Sequence, residues 1–283
     1  MNAHPRELVT AAWREQQLLP ALNIDSWDMA QGVLAAAEAL TAPILVQVTA
    51  ETLDIWGWGP FTRALRELIA AVPVPVGLVL DHAKSRELVA RALDAGFLGV
   101  MFDGSALPLA ANIAETAQVV AAAAPYRAWV EGEVGHVARD GEPPEWESLT
   151  TVEEAITFVT ETGVDALAVA VGSKHGHYRS AADIRLDRVR EISAAVARPL
   201  VLHGGSGVPT ALMGALKASG IVKMNIGTEL RRAWWEGLHA GEAGKPREAL
   251  QAARVRVTAR AETLIARMRA QEPGLDAAGT GEA

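Results

Sequence analysis

The chain has 283 residues, half of them hydrophobic, and a formal net charge of −8 at pH 7; this length fits one large α/β barrel or two ordinary domains, and the charge gives no electrostatic basis for nucleic-acid binding. The absence of cysteine excludes disulfides and thiolate ligands, so a transition metal would have to be bound by His, Asp or Glu. No apolar run approaches the ~18 residues that span a membrane, and Met1–Glu7 has no hydrophobic signal segment, so we expect a cytoplasmic protein without a membrane partner.

Short apolar segments recur along the chain and predict eight strands. In chain order they are Leu19–Ile24, Pro43–Thr49, Val76–Asp81, Gly99–Phe102, Trp129–Glu133, Ala166–Val171, Pro199–His203 and Ile221–Ile226. Segments rich in Ala, Leu and Glu lie between them and predict helices at Trp27–Leu40, Gly59–Ala71, Arg86–Ala95, Leu109–Ala124, Val152–Thr162, Leu186–Val196 and Pro209–Ala218. Several of these helices are followed directly by glycine, which commonly closes a helix: Gly96, Gly163 and Gly220.

The alternation of strands and helices predicts an α/β fold, and eight repeats predict a (β/α)8 TIM barrel. A doubly wound open sheet is the competing architecture, but eight repeats without a break in composition favour closure. We therefore expect a single domain over residues 1–283, in which residues 271–283 form a flexible tail because they are rich in Gly, Ala, Asp and Glu.

Polar residues lie at or just past the carboxyl ends of the predicted strands, at the rim that carries the chemistry in barrels of this kind. They are Asn23, Thr49, Asp81, His82, Asp103, Glu131, Glu133, His203 and Asn225. A single polar residue at a strand end could simply bond to a neighbouring loop, but nine on one rim favour a functional site.

Histidines occupy two of these positions, and a third histidine lies in the loop after another predicted strand. Val201–Gly207 reads as a buried strand that ends at His203 and continues into a glycine-rich turn, whose backbone N–H groups could approach an anion. His82 ends another apolar run, and His175 closely follows a third. Three neutral imidazoles at separate strand ends would suit a catalytic zinc that keeps one position open for substrate.

Several short segments then resemble a known family, because they occur in its order and with its spacing. They are Leu80–His82, Val100–Ser105, Glu131–Gly135, His175–Tyr178, His203–Gly207 and Lys223–Ile226. Over about residues 5 to 270, the chain resembles the class II, zinc-dependent ketose-bisphosphate aldolases, the family of fructose- and tagatose-bisphosphate aldolases.

The resemblance implies one catalytic zinc ion per chain, with His82, His175 and His203 as ligands and Glu133 as an alternate ligand. A divalent metal acts as a Lewis acid that stabilises the enediolate formed in aldol cleavage, which these enzymes need because they have no Schiff-base lysine. Asp81 matches the residue that moves the proton on the hydroxyl group created from the aldehyde; its structural alternative is a carboxylate that orients an imidazole.

The resemblance also implies a site for dihydroxyacetone phosphate and the aldehyde. The residues assigned to substrate binding are Asn23, Thr49, Gly176, Gly204, Gly205, Ser206, Asn225, Thr228 and Arg247. Small residues let main-chain amides approach the phosphate, and the Ser and Thr hydroxyls donate further hydrogen bonds. The arginine matches one that reaches a distal phosphate, although exposed arginines are common. A monovalent cation near Gly176 and Gly204 is implied by the resemblance alone.

The sequence departs from the family after Glu133, in the loop His136–Pro144. The family has a glycine pair there and a glutamate that moves the α-proton of the ketone, whereas counting places Gly141 at that position. Glu142 is then the first candidate for this catalytic role and Asp140 the second; the alternative is an acidic loop without a catalytic part. Two further features are Gly227, where some members carry an acidic residue, and Trp56–Gly59, which we interpret as a dimer contact, a lid or part of the aldehyde pocket.

The sequence thus predicts a metal-dependent aldolase that cleaves a fructose-1,6- or tagatose-1,6-bisphosphate type substrate into dihydroxyacetone phosphate and an aldehyde. A related activity on a substrate that is not a bisphosphate is the first alternative, and a non-catalytic barrel that binds a sugar phosphate is the second. The expected partners are a small sugar phosphate and further copies of the chain, in a homodimer or homotetramer.

Overall fold

In a computed structural model, which describes residues 1–137, 149–173, 184–240 and 244–270, eight parallel strands pair in chain order and β8 closes on β1. The strands are β1 Leu19–Asn23, β2 Ile44–Thr49, β3 Val76–Ala83, β4 Gly99–Phe102, β5 Trp129–Val134, β6 Ala166–Val169, β7 Leu200–Leu202 and β8 Ile221–Ile226. The predicted TIM barrel is confirmed, and each strand end lies within two residues of its predicted position.

Helices surround the barrel. They are α1 Pro5–Arg14, α2 Trp27–Ala39, α3 Ala50–Trp56, α4 Trp58–Ala71, α5 Arg86–Ala95, α6 Leu109–Ala123, α7 Val152–Thr162, α8 Leu186–Ala195, α9 Met213–Ser219, α10 Thr228–Ala240 and α11 Pro246–Arg269. Helices α1, α3, α10 and α11 were not predicted from the sequence. The predicted helix Pro209–Ala218 begins instead with a 3-10 turn, Thr210–Leu212, before α9.

The predicted glycine terminators are confirmed by their backbone conformation. Gly96, Gly163 and Gly220 follow α5, α7 and α9 with φ values of 97°, 70° and 106°, in the left-handed region that glycine adopts without a steric penalty. Each helix therefore stops where the chain must turn back into the barrel.

The interior of the barrel is a packed apolar core, separate from the larger core between the strands and the outer helices. Leu19, Leu45, Val79 and Trp129 are among its buried members, and residues of α1 pack against them. Parallel strands present their carboxyl ends at one rim of the barrel. This rim, at the end of the barrel away from α1, is left for polar side chains. Within the described ranges, no helix combines the length and the hydropathy that crossing a bilayer requires.

Candidate active site

Two of the predicted histidines meet at the carboxyl rim of the barrel. His82 Nε2 lies 3.0 Å from His203 Nδ1. The outer nitrogen of each ring contacts a carboxylate: His82 Nδ1 lies 2.9 Å from Asp103 Oδ2, and His203 Nε2 lies 2.8 Å from Glu131 Oε1. An ionised carboxylate can only accept hydrogen bonds, so each pair orients its imidazole and directs the other nitrogen to the centre of the site.

His82 reaches the site because β3 is irregular next to it. The pairing of β3 with β4 shifts register between Leu80 and Ala83, and His82 has φ 51°, in the left-handed region. Consecutive side chains of a regular strand point to opposite faces. This local conformation, which costs of order 1–3 kcal/mol, lets Asp81 and His82 both face the barrel mouth.

Asp81 is buried and accepts hydrogen bonds from three side-chain amides. Its Oδ2 lies 2.7 Å from Asn23 Nδ2, and its Oδ1 lies 3.0 Å from Gln47 Nε2 and 3.1 Å from Asn225 Nδ2. Burial works against ionisation, but the nearby His82, His203 and Lys223 together with the Asn23 hydrogen bond lower the pKa of Asp81 to about 2. The side chain is therefore an oriented carboxylate at neutral pH.

Glu133 supplies a further oxygen between the imidazoles. Its Oε2 lies 3.9 Å from His82 Nδ1 and 3.8 Å from His203 Nδ1, and it is buried without a hydrogen-bond partner among the described residues. Burial and the neighbouring Asp103 raise the pKa of Glu133 well above its usual range. A buried oxygen without a partner is costly unless a proton or a cation satisfies it.

These donors fit a divalent metal ion. Asp81, His82 and His203 offer one ligand atom each within 4.8 Å of one another, and so do His82, Asp103 and Glu133. Imidazole nitrogens and carboxylate oxygens are ligands that zinc accepts. Although burial opposes it, Asp81 and the Asp103 hydrogen bond raise the pKa of His82 to about 9, so a cation at this site would replace the proton on that ring.

Lys223, which the sequence analysis did not assign to the site, connects its two halves from inside the barrel. Its Nζ lies 2.8 Å from Glu131 Oε2 and 2.7 Å from Asn225 Oδ1, and the side chain is fully buried. Lys223 thus contacts the residues that orient His203 and Asp81. Gln47 was likewise not predicted as a site residue. The alternation of side chains along a strand could have indicated both residues. Gln47 lies two positions before Thr49 and Lys223 lies two positions before Asn225, so each shares a strand face with a rim residue.

Breaking this buried ion pair should affect both stability and metal binding. Lys223→Met leaves the Glu131 carboxylate buried without its cation, so we expect the free energy of unfolding to fall by about 3–5 kcal/mol and zinc affinity to fall ~10–100-fold. Denaturant titration and competition with a chelator measure the two effects. The double variant Lys223→Met with Glu131→Gln is the control and should regain much of the stability. An unchanged single variant would show that the pair supports neither property.

The glycine-rich turn after β7 is fixed to the start of α10. Gly204 and Gly207 have φ values of 70° and 81°, and a Cβ on Gly205 would lie 2.4 Å from Met224 Cγ, so these positions require glycine. The Gly207 N–H donates to Glu229 Oε1 at 2.6 Å, and the Glu229 N–H lies 3.4 Å from Ser206 Oγ. The turn therefore lies beside the N-terminus of α10, where the helix dipole favours an anion.

The remaining predicted site residues have different positions. Thr49 ends β2 in register with Asp81, and Thr228 is the first residue of α10. Arg247 is exposed near the start of α11, and no contact with the barrel mouth is found for it among the described residues. Four predicted site residues lie outside the described part of the chain, and they are Asp140, Glu142, His175 and Gly176. The predicted tail 271–283 also lies outside it. Their roles stay predictions.

Comparison with known proteins supports the resemblance over almost the whole chain. The family model described as class II fructose-bisphosphate aldolase matches residues 3–272. The chain belongs to the class II fructose-bisphosphate aldolase family. The predicted family and the predicted enzyme class, a carbon–carbon lyase, are thereby confirmed.

Named relatives of this class II aldolase act on different substrates. It is 34% identical over 247 residues to the sulfofructosephosphate aldolase of Alkalicoccus urumqiensis, with 86% of each chain covered. It is 38% identical over 232 residues to the 6-phospho-5-dehydro-2-deoxy-D-gluconate aldolase of Shouchella clausii, covering 80% of this chain and 79% of the relative.

Solved structures agree with the barrel of this class II aldolase. The YdjI aldolase from Escherichia coli superimposes with a TM-score of 0.86 at 29% identity, covering 95% of this chain and 97% of the other. The fructose-bisphosphate aldolase from Campylobacter jejuni gives a TM-score of 0.80 at 20% identity, covering 94% and 95%, and this second likeness concerns the fold alone.

Proposed function

We propose that this class II aldolase uses one zinc ion per chain to cleave a ketose phosphate into dihydroxyacetone phosphate and an aldehyde. The observation that carries this proposal is the pair of facing imidazoles, His82 and His203, each held by a carboxylate and lying beside the ionised Asp81. His175 completes the proposed ligand set, and Glu133 is an alternate ligand.

Individual side chains of the protein have separate roles in cleavage. When bound, the metal supplies Lewis acidity toward the ketone oxygen. Asp81 accepts the proton from the hydroxyl group that becomes the aldehyde, and its three amide partners orient it for that step. Asn225, which donates to Asp81 and accepts from Lys223, is assigned to contact the same substrate.

The phosphate of dihydroxyacetone phosphate is assigned to the side of the mouth formed by the turn after β7 and the start of α10. Gly204, Gly205, Ser206 and Thr228 are the described residues of that assignment, and Gly176 is the other. The fixed contact between Glu229 and Gly207 supports it, because it holds the turn beside a helix N-terminus. A monovalent cation near Gly176 and Gly204 remains part of the proposal.

We also propose a substrate that is not a bisphosphate. Sulfofructosephosphate carries a sulfonate and 6-phospho-5-dehydro-2-deoxy-D-gluconate carries a carboxylate, each in place of a second phosphate. The competing proposal is a fructose-1,6- or tagatose-1,6-bisphosphate, whose distal phosphate would be bound by Arg247. The exposed position of Arg247 offers this alternative no support from the described residues.

An aldehyde panel tests the proposed activity and its substrate. The zinc enzyme is given dihydroxyacetone phosphate with three-carbon aldehydes that carry a carboxylate, a sulfonate, a phosphate or no charge, and the ketose products are quantified. We expect the highest kcat/KM for the carboxylate or the sulfonate, and no product after chelation. A preference for the phosphorylated aldehyde would support a bisphosphate substrate, and no product with any aldehyde would contradict the proposed activity.

The loop that follows β5 is proposed to supply the α-proton base. Glu142, rather than Asp140, is our candidate because Pro143 and Pro144 follow it directly and restrict its backbone, whereas Asp140 begins an Asp-Gly turn sequence. We expect Glu142→Gln to suppress solvent exchange of the α-proton of dihydroxyacetone phosphate and Asp140→Asn to spare it. The exchange is followed by NMR without aldehyde. The reverse pattern would assign the base to Asp140, and no effect of either would remove this loop from catalysis.

The homodimer or homotetramer and the cytoplasmic location also stay proposals. Light scattering during size-exclusion chromatography measures the mass of the assembly. A mass equal to one chain would contradict the proposed oligomer.

A further inference from the structure

An arginine of α10 lies at the barrel mouth and is not used by the proposed reaction. Arg231 Nε donates to Asp25 Oδ2 and its Nη2 lies 3.2 Å from Asp25 Oδ1. Asp25 lies two residues after Asn23, the last residue of β1. The ion pair therefore connects α10, which follows the last strand, to the loop that follows the first strand. These two contacts engage two of the five N–H groups of the guanidinium.

Gly227 makes room for this guanidinium next to the site. A Cβ on Gly227 would lie 3.0 Å from Arg231 Nη1 and 3.3 Å from Asn23 Cβ, so a side chain there would fill the space between the two residues. Asn23 in turn donates to Asp81. Because residue 227 has no side chain, the guanidinium of Arg231 can lie next to Asn23, which in turn contacts Asp81, the proposed proton acceptor.

Helix α3, which ends at Trp56, holds Asp25 in place. Thr52 Oγ1 donates to Asp25 Oδ1 at 3.1 Å, and Trp56 Nε1 donates to the Asp25 carbonyl oxygen at 2.9 Å. Trp56 is itself stacked on Phe61, with ring centroids 5.8 Å apart. Asp25 is thus fixed by α3 as well as by Arg231, and the guanidinium has a preset orientation.

Arg231 is a permanent cation in this position. Burial opposes its charge, but the Asp25 ion pair and the nearby Asp81 and Glu51 raise the pKa of the guanidinium. Its side chain is 47% exposed, so a ligand can reach it. A half-exposed ion pair contributes only ~0–1 kcal/mol to stability, which leaves little structural reason for this arrangement at the mouth.

We propose that Arg231 is a specificity-determining residue that binds the carboxylate or sulfonate of the aldehyde fragment. This inference rests on the proposed function, in which Asp81 takes the proton from the hydroxyl on the aldehyde carbon. The substituents of that carbon then extend past Asn23, away from the imidazoles and toward Arg231. A planar guanidinium matches paired oxygens of either anion, whereas the phosphate is assigned to the turn after β7 and to Thr228, the first residue of the same helix.

The test compares Arg231→Gln and Arg231→Lys with the wild-type zinc enzyme in the condensation direction. The aldehydes are 3-oxopropanoate, 2-hydroxy-3-sulfopropanal and uncharged propanal. We expect Arg231→Gln to raise KM for at least one anionic aldehyde about 10- to 100-fold, the size of a lost charge-assisted hydrogen bond, and to leave KM for propanal and for dihydroxyacetone phosphate unchanged. Arg231→Lys should recover part of the loss, and which anion is affected distinguishes carboxylate from sulfonate.

Arg6→Gln is a matched control at the opposite end of the barrel. Arg6 pairs with Asp165, and the side-chain exposures of 47% and 22% resemble the 47% and 29% of Arg231 and Asp25. Arg247→Gln tests the rival arginine. A selective rise in KM with Arg247→Gln, an equal rise for charged and uncharged aldehydes with Arg231→Gln, or a rise for dihydroxyacetone phosphate alone would overturn the inference.

A binding measurement separates this inference from the proposed function. The unreactive anions 3-hydroxypropanoate and 3-hydroxypropanesulfonate are titrated calorimetrically into the zinc enzyme with and without Arg231→Gln. Loss of binding in the variant supports the role of Arg231 even if no aldehyde is turned over. Equal binding by both proteins, or binding by neither, overturns it even if aldolase activity is present.

Discussion

His203→Ala is expected to abolish cleavage while the barrel remains folded. His203 is fully buried, its Nδ1 faces His82, and its Nε2 is held by Glu131. Removing it takes away one of the proposed zinc ligands and leaves an incomplete donor set, so zinc content and turnover should fall together. The fold should persist because Glu131 keeps its ion pair with Lys223.

The measurements are kcat, zinc per chain by elemental analysis, and the thermal unfolding midpoint. His239→Ala is the control, because His239 lies near the end of α10. Among the described contacts its ring meets only Trp235, through the carbonyl oxygen at 2.8 Å and the indole, with ring centroids 4.3 Å apart. Turnover by a variant without bound metal, or by wild-type enzyme after complete chelation, would remove zinc from the mechanism.

Asp81→Asn should lower kcat by about 10²–10⁴-fold, the usual contribution of general acid–base catalysis, while zinc remains bound. The substitution keeps the size of the side chain but removes its negative charge. It also replaces one accepting oxygen by an amide that faces donors from Asn23, Gln47 or Asn225. The proton of the substrate hydroxyl then has no carboxylate to receive it.

Steady-state kinetics and zinc analysis check this result. Asp165→Asn, which changes a carboxylate directly before β6, at the far end of the barrel, serves as the control and should retain wild-type kcat. Turnover of Asp81→Asn at the wild-type rate would place the proton carrier elsewhere. His177 and Tyr178, which lie outside the described residues, would be the next residues to test.

Hydrophobic patterning along the chain was sufficient to predict the barrel. Each strand is a run of apolar residues that is buried on both faces, and each is followed by a helix that must cover it. Because all strands of such a barrel run in parallel, a polar residue at the end of any strand lies on the same rim. Asn23, Asp81, His203 and Asn225 could therefore be assigned to one site without knowing a single distance.

The sequence did not predict how those residues face one another. His82 follows Asp81 directly, and regular alternation would turn one of them away from the mouth; the register shift of β3 against β4 decides that both face it. Lys223 lies in an apolar strand, where a lysine is costly unless a carboxylate from another strand meets it. Its partner Glu131 is 92 residues distant in sequence.

The sequence by itself thus determined the fold, the rim and the chemical types of the site residues, because strand period, burial and strand direction are properties of local segments. Only the tertiary structure decided the pairings that orient them. Arg231 and Asp25 are 206 residues apart, and they meet because β8 closes on β1 and places α10 beside the loop after β1. Contacts between such distant segments depend on barrel closure, and they cannot be predicted from a local sequence pattern.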